Sequence, residues 1–145
     1  MLNGLLVVKG VVALSTFVLA TIAFLTMMQM RRKIPAILPG TTAQLRRWHV
    51  VSGRVSFLLF VFLAFLGTGL ALYLYPPSSV RPWLHVIVSV AATVVFAGKI
   101  IVVRRKVQPW MRQLLAVGII LFLLHLAIFL TATIWAFWFK FTGAL

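Results

Sequence analysis

Aspartate and glutamate are absent from the 145 residues, and so is cysteine. The first absence excludes carboxylate general acids and bases, carboxylate metal sites and ion pairs between side chains. The second excludes disulfides and thiolate metal centres. Against no acid stand 14 lysines and arginines, in a chain that is 63% hydrophobic. A soluble fold would leave those like charges repelling one another and could not bury so much apolar surface. A bilayer resolves both conflicts, because anionic headgroups supply the missing sign at the ends of apolar segments. The basic residues do not gather on one soluble face, so no nucleic-acid partner is expected.

A spanning helix needs about 20 mainly apolar residues. Four segments qualify, at about 5–30, 49–75, 82–103 and 110–138. The expected fold is an all-α membrane protein, one domain over 1–145, built as a four-transmembrane-helix up-down antiparallel bundle. The prolines agree with these limits. Pro35 and Pro39 fall in the first connection, Pro76 and Pro77 end the second span, and Pro82 and Pro109 stand where a helix begins and a missing N–H matters least. Trp48, Trp83, Trp110, Trp135 and Trp138 all lie near span ends, the interfacial position of this side chain. The first apolar run continues from Gly10 to Met30, too long for the core of a cleaved signal peptide, so no cleavage is expected.

Lysine and arginine bias sets the orientation. The side of the first and third connections, side A, carries Arg31, Arg32, Lys33, Arg46, Arg47, Arg54, Arg104, Arg105, Lys106 and Arg112, with Lys99 nearby. Side B has Lys9, Arg81 and Lys140. Side A is therefore expected in the cytoplasm of a bacterial or archaeal cell, with the multi-pass chain in its cytoplasmic membrane and both termini extracytoplasmic.

Histidines inside a membrane are functional candidates by default. Counting about 1.5 Å per residue from side A, His85 lies roughly 28 Å deep and His125 roughly 22 Å deep. A gap of about 6 Å is within helix tilt, so the two are expected to face each other across adjacent helices. Such a pair points to axial ligation of one haem iron. Ser89 follows His85 by one turn, and Gly67 and Gly69 reach a similar depth on the second span, where a backbone can approach a ring closely. Gly118 lies two turns from His125. Lys9 and Arg81, also toward side B, are placed to pair with haem propionates. The alternatives are a histidine merely hydrogen-bonded to its neighbours and a chlorophyll-type pigment on one histidine. Two ligands at one level are too few for zinc. His49, beside Arg46, Arg47 and Trp48, begins the second span at side A and is expected in a structural interfacial role. A quinone contact, or ligation of a second haem with a methionine among Met27, Met28, Met30 and Met111, is the other reading of His49.

Two short motifs add a resemblance. Trp48-His49-Val50-Val51-Ser52-Gly53-Arg54 opens one span, and Arg81-Pro82-Trp83-Leu84-His85 opens the next, followed by Lys99 and Val102-Val103-Arg104. Over residues 46–138 the chain resembles small four-helix haem-b membrane proteins of the cytochrome b561-like sort. In that pattern a histidine on the second span pairs with the one matching His85; this chain has Leu66 there and offers His125 on the fourth span instead. The resemblance implies electron transfer between membrane quinone and a redox partner.

The expectation is then a membrane electron-transfer subunit holding one bis-histidine haem b, rather than an enzyme by itself. It would relay electrons between an extracytoplasmic partner and quinone within a larger respiratory or photosynthetic complex, with anionic lipids around it. A cofactor-free structural subunit binding anionic lipid or an acidic partner through its basic rim is the alternative, as is a pigment-binding subunit. Topology is directly testable. Reporter fusions at either end should report an extracytoplasmic location; a C-terminal fusion labelled only from the cytoplasm would reverse the assignment.

Overall fold

The computed structural model describes residues 2–74, 80–106, 108 and 110–142, and leaves undescribed the side chains of several of these, including Arg81, His85 and 131–142. Four helices run in order: α1 Leu2–Met30, α2 Thr42–Leu74, α3 Val80–Arg105 and α4 Leu114–Thr142, the last entered through a 3-10 turn at Trp110–Gln113. Each is long and apolar enough to cross a membrane. No strand occurs among the described residues, as a lipid environment requires of a chain whose backbone must satisfy itself. The expected turns at Pro76, Pro77 and Pro109 lie outside the described residues.

α2 begins at Thr42, earlier than the apolar run that marks the span at 49. Its start is set by polar chemistry that hydropathy does not register. The Thr41 N–H donates to Gln44 Oε1 at 2.7 Å and the Gln44 N–H donates to Thr41 Oγ1 at 3.3 Å, a reciprocal capping box. Gly40 precedes it at φ 125°, where a side chain would be strained and a Cβ would come within 3.0 Å of Gln44 Oε1. α1 ends in a Schellman turn. Lys33 N–H donates to Met28 O at 3.0 Å and Arg32 N–H to Gln29 O at 2.9 Å, with Arg32 in the left-handed region at φ 53°. The connection between these ends is clasped by one side chain. Gln29 Oε1 accepts from the backbone N–H of Ile37 and of Leu38, and Gln29 Nε2 donates to Leu38 O at 2.9 Å.

Neighbouring helices pack in a ring, α1 on α2, α2 on α3, α3 on α4 and α4 on α1, with no diagonal backbone approach among the described residues. The bundle is inside out relative to a soluble one. Large apolar side chains face outward, Phe65 at 83% and Leu58 at 66% exposure. Buried positions include Thr16, Thr26, Ser52, Ser56, Ser89 and His125 beside Met27, Leu45, Phe60, Ala92 and Leu121. Lipid gives no hydrophobic reason for helices to associate, so close approach of small residues and hydrogen bonds to carbonyls take over. Thr16, Thr26 and Thr93 each return their hydroxyl to a carbonyl one turn back, on Val12, Ile22 and Ser89.

One register recurs along the seams. His49 Nδ1 bonds Ala23 O at 2.7 Å, and seven residues on, Ser56 Oγ bonds Thr16 O at 3.2 Å. On the adjoining face of α1, Phe24 stacks on Phe122 with centroids 4.3 Å apart, and seven residues on, Phe17 stacks on Phe129 at 4.5 Å. Both seams thus repeat every seven residues, the spacing of knobs-into-holes packing. On α3, His125 is bracketed by Ser89, which shares its cavity, and by Phe96, whose ring lies 6.1 Å away. His85 stands seven positions before Ala92 on α3, and its side chain lies outside those described.

The Gln29 clasp should govern access to the first connection. Gln29→Ala removes three hydrogen bonds, and local opening at Arg31–Lys33 should become roughly tenfold more frequent, from a loss of about 1.4 kcal/mol. Limited trypsin digestion of inside-exposed vesicles measures it; an unchanged cleavage rate would show that the clasp contributes nothing.

Candidate functional site

The bundle encloses a cavity toward side B lined from all four helices. α1 gives Lys9, Ala13, Thr16 and Phe17; α2 gives Phe60, Leu63, Ala64 and Gly67; α3 gives Val86 and Ser89; α4 gives His125, Ile128 and Phe129. The α1 residues fall at one-turn and two-turn spacing, one stripe of a helix face. The register carries Lys9 to the level of Leu63, seven residues beyond the Thr16–Ser56 bond, which is why a side-B lysine on one helix meets the end of the stripe on the next. The enclosed core is about 60 Å³; counted with its open mouth the cleft holds about 630 Å³. The first figure suits a few waters. The second includes the open space at the mouth and is no measure of what the site can enclose.

His125 is the most unusual group in this cavity. It is 5% exposed. Its Nδ1 lies 2.8 Å from Leu121 O, and a carbonyl only accepts, so Nδ1 carries the proton. The other nitrogen, Nε2, is left with its lone pair, is buried and has no hydrogen-bond partner. Leaving such a nitrogen unpaired costs about 1–3 kcal/mol. Rings from two other helices hold the imidazole in place, Phe60 at 4.7 Å and Phe96 at 6.1 Å between centroids. A neutral imidazole with Nδ1–H pinned to a carbonyl and Nε2 bare is the arrangement that a metal-ligating histidine takes.

Four of the residues singled out from sequence meet here: His125, Lys9, Ser89 and Gly67. At Gly67 an added Cβ would find nothing within 4 Å, so this position borders open space. The side chains of His85 and Arg81 lie outside those described; along the backbone, His85 is adjacent to cavity-lining Val86 and one turn from Ser89. Gly118 is not part of this site. A Cβ there would meet Met27 Sδ at 2.8 Å and Lys99 Nζ at 3.8 Å, so it seats a different layer nearer side A. His49 belongs to that lower layer as well, two turns inside α2 and bonded to Ala23 of α1. Of the two rings that orient His125, sequence reasoning missed Phe60. Phe96 was visible on the same α3 face as Ser89 and Ala92; nothing in the sequence marked Phe60 out among the phenylalanines of α2.

Among the described residues no group of three or more histidines, cysteines or acids gathers to hold a metal ion by itself. What the cavity does present is one bare, oriented imidazole nitrogen and one cation, Lys9, among small side chains (Ala13, Ala64, Gly67, Ser89) and large ones (Phe17, Phe60, Leu63, Phe129).

No curated protein and no solved structure matches the chain. Residues 1–142 match one family pattern, and the chain therefore belongs to the family of unknown function DUF6529.

Proposed function

We propose that the protein is a haem-b-binding membrane electron-transfer subunit, relaying electrons between an extracytoplasmic redox partner and membrane quinone within a larger complex. The observation that carries this reading is the unpartnered buried Nε2 of His125, directed by its Leu121 bond and set in a four-helix cavity. His125 is assigned as one axial ligand and His85 as the other. Along α3, His85 is adjacent to cavity-lining Val86 and one turn from Ser89.

Bound haem would supply reversible one-electron transfer. The chain's own contribution is orientation and electrostatics. Phe60 and Phe96 fix the plane of the His125 ring. Gly67 and Ala13 leave room beside it. Lys9, with Arg81, is assigned to the propionates, which provide the negative charge that the chain lacks altogether.

Purified protein reconstituted with haem should show the spectrum of a low-spin bis-histidine b-type haem. His125→Leu and His85→Ala should each abolish it, and His49→Gln should leave it intact. Gly67→Leu should fill the open space and reduce haem binding while the helices still form. His125→Leu should also leave the cofactor-free protein as stable as before, or about 1 kcal/mol more so, because it removes an unpaired buried nitrogen. A wild-type chain that takes up no haem, or a His49 variant that alone loses it, would overturn the assignment.

A further inference from the structure

Arg54 stands where a charge is hardest to account for. It is exposed, and it falls near the middle of the apolar span from Thr42 to Gly67. The register of α1 on α2 fixes its depth. Ala23 O meets His49 and Thr16 O meets Ser56, an antiparallel pairing that sets Arg54 beside Val18. Measured along α1 from Val18, Arg31 at side A is about 20 Å away and Lys9 toward side B about 14 Å. The sequence alone groups Arg54 with side A; the register puts it well inside the span.

The phase of α2 sets the direction of the side chain. Leu45, Ser52 and Ser56 are buried and mark the inward face. Arg54 is two residues from either serine, which on a helix of about 3.6 residues per turn is nearly the opposite side. It shares an outward stripe with Arg47, Leu58 and Phe65, all exposed. A guanidinium keeps its proton in a protein, and a charge facing acyl chains at this depth is strongly unfavourable. Arginines near a helix end escape by turning their stems to the headgroups, as Arg46 and Arg47 can. Arg54 lies about 10 Å further in than Arg47. Among the described residues it has no hydrogen-bond acceptor and no ion pair, and the chain holds no carboxylate side chain to provide one.

We propose that the outward face of α2 around Arg54 docks a transmembrane helix of another protein, one that carries an aspartate or glutamate near the middle of its own span. The guanidinium donates two parallel hydrogen bonds to that carboxylate, and the pair is neutral at a depth where either charge alone is unfavourable. Leu58 and Phe65 continue the contact toward side B. A second copy of this chain does not fit the place, because it has no acidic side chain to offer. A lipid phosphate does not fit either, since its level is the bilayer surface, about 14 Å or more from Arg54 along the register. Arg54 shares no face of α2 with Phe60 or Gly67, so the docking surface is separate from the His125 cavity and does not rest on haem.

The test uses the full chain in the membranes of its own host. A photo-crosslinking amino acid replaces Leu58, one turn from Arg54 on the outward stripe, and mass spectrometry identifies what it joins. The expected adduct is a spanning segment of another protein with an aspartate or glutamate inside its apolar run. Arg54→Leu should lower the yield roughly tenfold or more, as loss of one partner of a desolvated ion pair does, and so should leucine in place of that acid. Arg54→Asp combined with lysine in place of the acid should restore it. Helical circular dichroism of each purified variant, and the His125 haem spectrum, should not change, so failure of either reading is seen without the other. Adducts with lipid alone, with a second copy of the chain or with a segment that holds no acid would overturn the proposal. So would a yield that Arg54→Leu leaves unchanged, or a charge swap that restores nothing.

Discussion

The backbone carbonyls of α1 are the fixed points of this protein. In lipid a polar side chain has no water to turn to, and this chain has no acid to pair with its bases. Carbonyl oxygens are the acceptors that remain. Ala23 O receives both Thr26 of its own helix and His49 of α2, and Thr16 O receives Ser56. These bonds hold α1 and α2 in one register, and the phenylalanine stacks on the adjoining face of α1 hold α4 in the same seven-residue step. With α1, α2 and α4 so placed, Lys9, Gly67 and His125 arrive at one cavity although they are far apart in the chain.

Much of this was legible before any coordinates. Apolar runs and their basic flanks gave the four helices, because a bilayer imposes a length and a charge pattern that sequence records directly. The residues of the candidate site were legible because a polar or small side chain amid apolar ones stands out, as His125, Ser89 and Gly67 do. Contact between helices was not. Counting from helix ends sets His85 level with His125, but does not show that Phe60 and Phe96 are the rings that lie against His125. Nor was the true start of α2, which depends on the Thr41–Gln44 cap, or the role of Gly118, which depends on Met27 arriving from another helix.

The two polar layers divide the bundle by kind of chemistry. Toward side B, a bare imidazole nitrogen faces a cavity lined by small and aromatic groups. Toward side A, the Met27 thioether and the Lys99 ammonium lie against Gly118, and His49 is bonded to Ala23 O. Between them the rings of Phe57 and Phe96, 4.7 Å apart, join α2 to α3.

Both imidazoles are held in the same manner, Nδ1–H to a helix carbonyl, on Leu121 for His125 and on Ala23 for His49. A ring that passes a proton along must take it at one nitrogen and release it from the other. Here one nitrogen of each ring is committed to the backbone, and whatever reaches the ring must come and go by Nε2 alone. Each is a room with a single door. These histidines are therefore suited to holding a ligand in place and unsuited to serving as links in a proton wire across the membrane.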